Sequence, residues 1–493
     1  MKKLGTLGSS AAVIALALGA PTMSIVVAPQ QAHADECILD SNNNGVADAA
    51  DTDGGASSAG VDDRLACGVG ATASGTGSTA LGHNSTASQT DAISIGNESD
   101  AVGTSSIAIG GDSNDGDTLG AQATGSFSTA VGADAVASGG NSVAMGEGAD
   151  ATASSAVAIG TEATASGSSS TAIGVSSTAS GGSSVALGVS ATATQSSATA
   201  IGSSANATAA GAIGLGQNAD SIAAEGISIG HNADASATGA VAMGGDSVDA
   251  STLGAQATGI DSIAIGSDSL ANTTNAVALG TNAHSTGTNT TALGANAFST
   301  GFNTIAIGQL AQSQAFKGIA IGNNTIAASQ GVVIGDASVS IGVRSTVVGE
   351  SSTANGNDAL VFGSNTLATG DGAMSVGARS SANGAAATAL GFFASAQFAG
   401  STAIGTNATT TAANQVALGG TGSSVRVGDI ASSTAAQTGA VQMVTVDANG
   451  VLGRQAIAME GLGKGPSSAE MIALGGRMGA LEQQLDGIDR RFR

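Results

Sequence analysis

Residues 142–174 read SVAMGEGADATASSAVAIGTEATASGSSSTAIG. Gly146, Gly160 and Gly174 each close a short apolar phrase, and they stand fourteen residues apart. Phrases of this kind end on 24 glycines from Gly82 to Gly419. Twenty of the 23 intervals are fourteen, one is thirteen (Gly322 to Gly335), and two are 22 (Gly110 to Gly132, Gly244 to Gly266). A strict short period means a solenoid, in which each repeat buries itself only against its neighbours. Function is then to be sought on a long repetitive surface rather than in one pocket.

The residue before each glycine is large and apolar, as in Leu81, Ile95, Ile109, Val131 and Met145, and the residue three before it is β-branched in 22 of 24 cases. Two apart on a strand, these positions share a face, and β-branching favours strand over helix. Between them stands Ala, Ser or Gly in 21 of 24 cases, such as Ala108, Ala158 and Ser228. The expectation is that the two large side chains point inward and the small one outward. After Gly146, the alternation of Ala149, Ala151 and Ala153 reads as a second strand with a small-residue inner face. Two short strands and two glycine-relaxed turns make one coil of an all-β, parallel β-roll. At about 4.8 Å per strand, the coils span roughly 115 Å. An apolar stripe exposed along that length is unusual for a soluble monomer, so the roll is expected to pack against other copies of itself.

The two long intervals carry near-identical inserts, GDSNDGDTLGAQATG at 111–125 and GDSVDASTLGAQATG at 245–259. They lie 134 residues apart, as a block of coils duplicated whole would place them.

The flanks differ from the roll. Residues 1–34 read as a secretory signal: Lys2 and Lys3, an apolar run from Ala11 to Ala20, then Ala32-His33-Ala34 before Asp35. Residues 35–67 form an acidic cap, in which Cys37 and Cys67 are expected to pair in an oxidising compartment. Between them, Asp40, Asn42, Asn44, Gly45, Val46, Asp48 and Asp51 follow calcium-loop spacing, with Asp51 where Glu is usual. Hard oxygen ligands at alternating positions can wrap Ca²⁺; the competing reading is an acidic, Asn-rich tip without metal. The roll proper covers 68–419. Residues 420–465 lose the period and read as a neck, with a hairpin signal at Asn449-Gly450. In 466–493, Met471, Leu474, Met478, Leu481, Leu485, Ile488 and Phe492 are spaced by threes and fours, the seam of a coiled coil. Ser467 and Glu470, after Pro466, suit a capping box at its start.

Composition removes several function classes. The chain of 493 residues has 76 Gly, no Trp and no Tyr, and a net charge of −23, with no Lys or Arg between Arg64 and Lys317. Nucleic-acid binding needs cations to displace counterions from phosphates, and heparin-like partners are set aside for the same reason. His33 falls in the signal, and His83, His231 and His284 are assigned to polar loops after repeat glycines. None has a recurrent carboxylate, Ser or Cys partner, so no catalytic site and no enzyme is expected. No later stretch is long and apolar enough for a membrane helix.

The phrase Ser-(Val/Ile)-Ala-Ile-Gly followed by x-x-Ala-x-Ala resembles the head repeat of YadA-like trimeric autotransporter adhesins, over residues 68–419. The order of signal, head, neck and coiled coil is also that family's. The resemblance implies a left-handed roll, a homotrimer, and display on a Gram-negative outer membrane. It also implies attachment to extracellular matrix, surfaces or other cells, a role in which identical coils repeat weak contacts. Family members end in a membrane anchor of four strands per chain, whereas this sequence stops at Arg493, so a passenger fragment is expected. The competing reading is an ice-binding or purely structural β-solenoid. Thr79, Thr129, Thr171, Thr199, Thr291, Thr346, Thr388 and Thr402 occupy one repeat position, but Ile and Val interrupt them on what is expected to be the inward face.

Overall fold

A computed structural model describes residues 55–58, 63–113, 118–247, 253–426, 428, 443–448, 450–455 and 468–491. They fall into two units, one ending at Ser423 and one beginning at Ser424.

The first unit is a parallel β-solenoid. Each coil gives a three-residue strand to a wide sheet of 25 strands, from Leu65–Cys67 to Val416–Leu418, and most coils give a two-residue strand to a narrow sheet. The register is the sequence period itself: Val157 pairs with Thr171, Ala158 with Ala172 and Ile159 with Ile173. Turn amides bond from coil to coil as well, as in Glu162 N to Glu147 O at 2.8 Å. The backbone is thus satisfied around the whole loop, as a buried backbone requires.

The interior is the reverse of the expectation. Ala108, Ala158 and their equivalents are fully buried, whereas Ile107 and Val157 are half-buried and Met145 and Leu187 are 42% and 40% exposed. The physical reason is the narrowness of the coil. Two strands joined by tight turns lie too close for two facing Ile side chains, and a close-packed interior of that width is filled by methyl and hydroxymethyl groups. Ala149 and Ala151 on the narrow strand do face inward as expected; Ala153, at the turn, is only partly buried. Three consecutive coils place Val333, Val347 and Val361 in the buried middle position, beginning within the thirteen-residue interval. Buried hydroxyls satisfy one another across the core, such as Ser285 with Thr290 at 2.6 Å and Ser375 with Ser380 at 2.8 Å.

The phrase-ending glycine is required by stacking. At Gly188, φ is +136° and a Cβ would lie 2.4 Å from the carbonyl oxygen of Gly202 in the next coil. Two residues further on, and again seven residues after that, each coil enters the left-handed region. Asn282, Asn289, Asn296 and Asn303 have φ of 53°, 56°, 54° and 57°, a conformation Asn tolerates better than most residues.

In the second unit, Met443–Val446 pairs antiparallel with Leu452–Gln455, the hairpin expected around Asn449-Gly450; Asn449 itself lies outside the described residues. A helix runs from Ser468 to Asp489. Its seam residues Met471, Leu474, Met478, Leu481, Leu485 and Ile488 are all exposed in the single chain. Phe492 and the capping residues Pro466 and Ser467 lie outside the described residues. Among the described residues no helix is long and apolar enough to cross a membrane.

Candidate binding surfaces

The roll offers three kinds of surface. The first is the outer face of the wide sheet. Along it run two columns, the mostly half-buried β-branched residues and the large apolar residues that precede each glycine, exposed at Leu81, Met145, Leu187, Leu215, Leu279 and Leu418 and half-buried at others such as Ile95 and Ile159. Parallel in-register pairing places like side chains one strand apart, so the columns fuse into one apolar stripe. The eight threonines named above belong to this outer face and are half-buried. That corrects the inward placement, but Ile and Val still interrupt them.

The second surface is the outer face of the narrow sheet, which apart from Val136 is polar over its first half: Thr164, Thr178 and Thr192 are followed by Asn206, Asp220 and Asp234 on successive coils. Asn206 Nδ2 donates to Asp220 Oδ1 at 3.0 Å. Partial burial raises the carboxyl pKa of Asp100, Asp150 and Asp234 above the ordinary value of 3.8. At Asp234 the neighbouring Asp220 charge adds to the effect, and a bond from Ser236 opposes it.

The third surface comprises the two turn edges. Here asparagine side chains form ladders: Asn275 to Asn289 at 2.8 Å and Asn289 to Asn303 at 3.0 Å on one edge. His83 Nδ1 lies 3.0 Å from Asn97 Oδ1. His284 departs from expectation. It sits in a strand of the narrow sheet, its ring centroid 4.6 Å from that of Phe298, and burial lowers its pKa. A histidine one residue beyond the inward alanine column, here Ala283, could have been placed there by the period.

Both inserts leave the roll at an edge without disturbing it. Ile107–Ile109 pairs with Thr129–Val131 across the first insert in unbroken register. Ser113 N donates to Asp134 Oδ1 at 3.2 Å, and Ser247 N to Asp268 Oδ1 at 3.2 Å. The duplicated sequence thus builds the same backbone contact twice.

Of the candidate site residues, only Cys67 is described. It ends the first strand of the wide sheet. Cys37 and the whole set Asp40, Asn42, Asn44, Val46, Asp48 and Asp51 lie outside the described residues. Among the described residues no group of three or more His, Cys, Asp or Glu side chains is placed to hold a metal. A cluster the sequence reading missed lies further along, where seven of the chain's nine Phe fall between Phe298 and Phe398 together with Lys317, Arg344 and Arg379. Phe302 and Phe316 stack, Lys317 lies over Phe316, and Arg379 lies over Phe393.

Comparison with known proteins agrees with this architecture. The sequence signature described as "YadA head domain repeat (2 copies)" matches residues 73–99, 120–135, 137–205 in overlapping copies, 222–247, 257–325 in overlapping copies, 340–366 and 368–394, more than half of the chain. Among solved structures, the collagen-binding domain of the Yersinia adhesin YadA is similar at 27% identity, over 27% of this chain and 75% of that one, with a TM-score of 0.26. No curated protein matches.

Proposed function

The chain belongs to the YadA head-repeat family, and on that premise we propose that it is the head, neck and first stalk segment of a homotrimeric bacterial surface adhesin. The observation that carries this reading is the apolar stripe of the wide sheet. Of the 24 large apolar residues that precede the phrase-ending glycines, thirteen are exposed and eleven half-buried, far beyond the scattered apolar side chains normal on a monomer. The exposed Val444, Val446 and Leu452 of the hairpin and the open heptad seam of the helix ask for partners in the same way. Association of like chains supplies a cover for each, and a three-fold assembly of left-handed rolls, as in the family, is part of the proposal.

The proposed role is mechanical and non-enzymatic: to carry a repetitive surface away from the cell and hold extracellular matrix, surfaces or other cells by many weak contacts. Export through residues 1–34 and display at a Gram-negative outer membrane through an anchor are part of the same proposal. So are a Cys37–Cys67 disulfide and calcium at Asp40–Asp51. Calorimetric titration of residues 35–70 with Ca²⁺ tests the metal, and absence of heat at millimolar Ca²⁺ removes it.

Sedimentation equilibrium of the full chain tests the assembly. A mass of three chains is expected, and a stable monomer overturns the reading. Adhesion is tested with beads coated in the full chain, which are expected to attach to matrix-coated glass where uncoated beads do not.

A further inference from the structure

The adhesin reading leaves open which part of the roll meets a ligand, and one region differs from all others. The outer face of the narrow sheet, mostly polar through Gln256, gains apolar side chains between Leu270 and Val339, where Leu270, Phe298, Ile326 and Val339 share the column with His284 and Gln312. On the adjoining turn edge, Phe302 and Phe316 stand on consecutive coils, their rings 6.1 Å apart and 8° from parallel, 48% and 43% exposed. Lys317 Nζ lies 4.9 Å from the Phe316 ring centroid. Beyond them Ile341 is 62% exposed, next to Val343 and Arg344. Resting on the adhesin reading, we propose that this region, from Phe298 to Arg344, is a docking patch for an extended polypeptide segment that combines apolar side chains with carboxylates.

The thirteen-residue interval gives the patch its relief. The missing residue is taken from the turn on this edge, where Ser329 and Gln330 stand between the Phe316–Lys317 pair and the Val343–Arg344 pair. The backbone remains continuous there: Gln330 N donates to Phe316 O at 2.7 Å and Arg344 N to Ser329 O at 3.0 Å. The depression is therefore one of side chains. Its flanks lie two strand steps apart, about 10 Å, which admits one extended chain. A shallow trough with one aromatic and one aliphatic wall suits a polypeptide better than a small molecule, which needs a concave pocket.

Charge selects the kind of segment. Lys317 is the first cation after Arg64, and among the described residues it has no ion-pair partner. Arg344 is held by Asp358 through two bonds of 2.6 Å. In a chain of net charge −23, Lys317 is one of the few cations on the roll, and within the patch it is the one not already held by a carboxylate. Such a charge sets register and excludes wrong partners more than it adds raw affinity. The exposed phenyl rings supply the apolar contact area.

The test uses the full chain and a short fluorescein-labelled peptide of alternating leucine and aspartate, read by fluorescence anisotropy. Controls are peptides of alternating leucine and lysine and of alternating serine and aspartate. The leucine–aspartate peptide is expected to bind, the controls not to bind, and Lys317→Glu or Phe316→Ser to weaken binding about tenfold, the equivalent of about 1.4 kcal/mol. The proposal is overturned if that peptide does not bind, if either control binds equally, or if neither substitution changes the affinity. The sedimentation mass of both variants is expected to equal that of the parent. Dissociation would assign the patch to an interface between copies and overturn it too. Bead adhesion separates the two readings: if beads carrying the parent chain attach while the peptide fails to bind, only the patch is lost.

Discussion

Asn282 Nδ2 donates to Asn296 Oδ1 in the next coil at 2.7 Å, and both residues hold left-handed backbone, with φ of 53° and 54°. One residue type thus serves two needs, a turn conformation that most side chains resist and a bond that ties neighbouring coils. Asn282→Ala removes both, and the local cost is expected to be about 1–2 kcal/mol. Because a solenoid's stability is a sum over neighbouring repeats, the measurement is amide hydrogen exchange. Protection is expected to fall around residues 268–296 and to stay unchanged in distant coils.

Gly188→Ala is expected to be more severe. The added methyl meets the Gly202 carbonyl oxygen at 2.4 Å, a backbone atom that cannot move alone, at a φ of +136°. A cost of about 3 kcal/mol or more is expected from the strain and overpacking together. Limited proteolysis would show it as a new cleavage point near this coil, and an intact pattern would contradict the stacking account.

The inward and outward faces of the wide sheet can be told apart by substitution. Ala158→Leu forces a large side chain into a fully buried site and is expected to cost about 1–3 kcal/mol of local stability. Ile159→Glu combined with Leu187→Glu leaves the coil folded, as circular dichroism would show, and shifts the sedimentation mass toward a single chain. The opposite pattern would restore the inward placement of the large residues.

Acid is expected to strengthen part of the roll. Burial first, and the Asp220 charge second, raise the Asp234 pKa above 3.8. A raised folded-state value means the stabilising contribution is fully present below the unfolded pKa and is lost as pH rises through the folded one. Asp234→Asn should therefore increase amide protection near neutral pH and change nothing below 3.8, where the aspartate is protonated in both states. Equal effects at both pH values would sink this account.

The period, the strands and the parallel register were all legible in the recurrence of glycine every fourteen residues. The direction of the side chains was not. Ile107 and Ile109 flank Ala108 on any strand, and alternation tells which residues share a face without telling which face is inside. The usual rule that large apolar side chains are buried fails here because the coil is thinner than two facing isoleucines. The left-handed turn positions were hidden by their variety, since Ser155, Glu162 and Lys317 occupy them as well as Asn. The aromatic and cationic patch escaped notice because its members are scattered in sequence and become neighbours only through the stacking of coils.

The paired inserts, each containing TLGAQATG, at 118–125 and 252–259, bear on how such a molecule changes over generations. Every coil meets its neighbours through the same contacts, so recombination between these matching tracts would delete or add a block of nine strand steps, about 43 Å, and leave every junction native. The rod could then be lengthened or trimmed in one genetic step, with no fresh interface to invent.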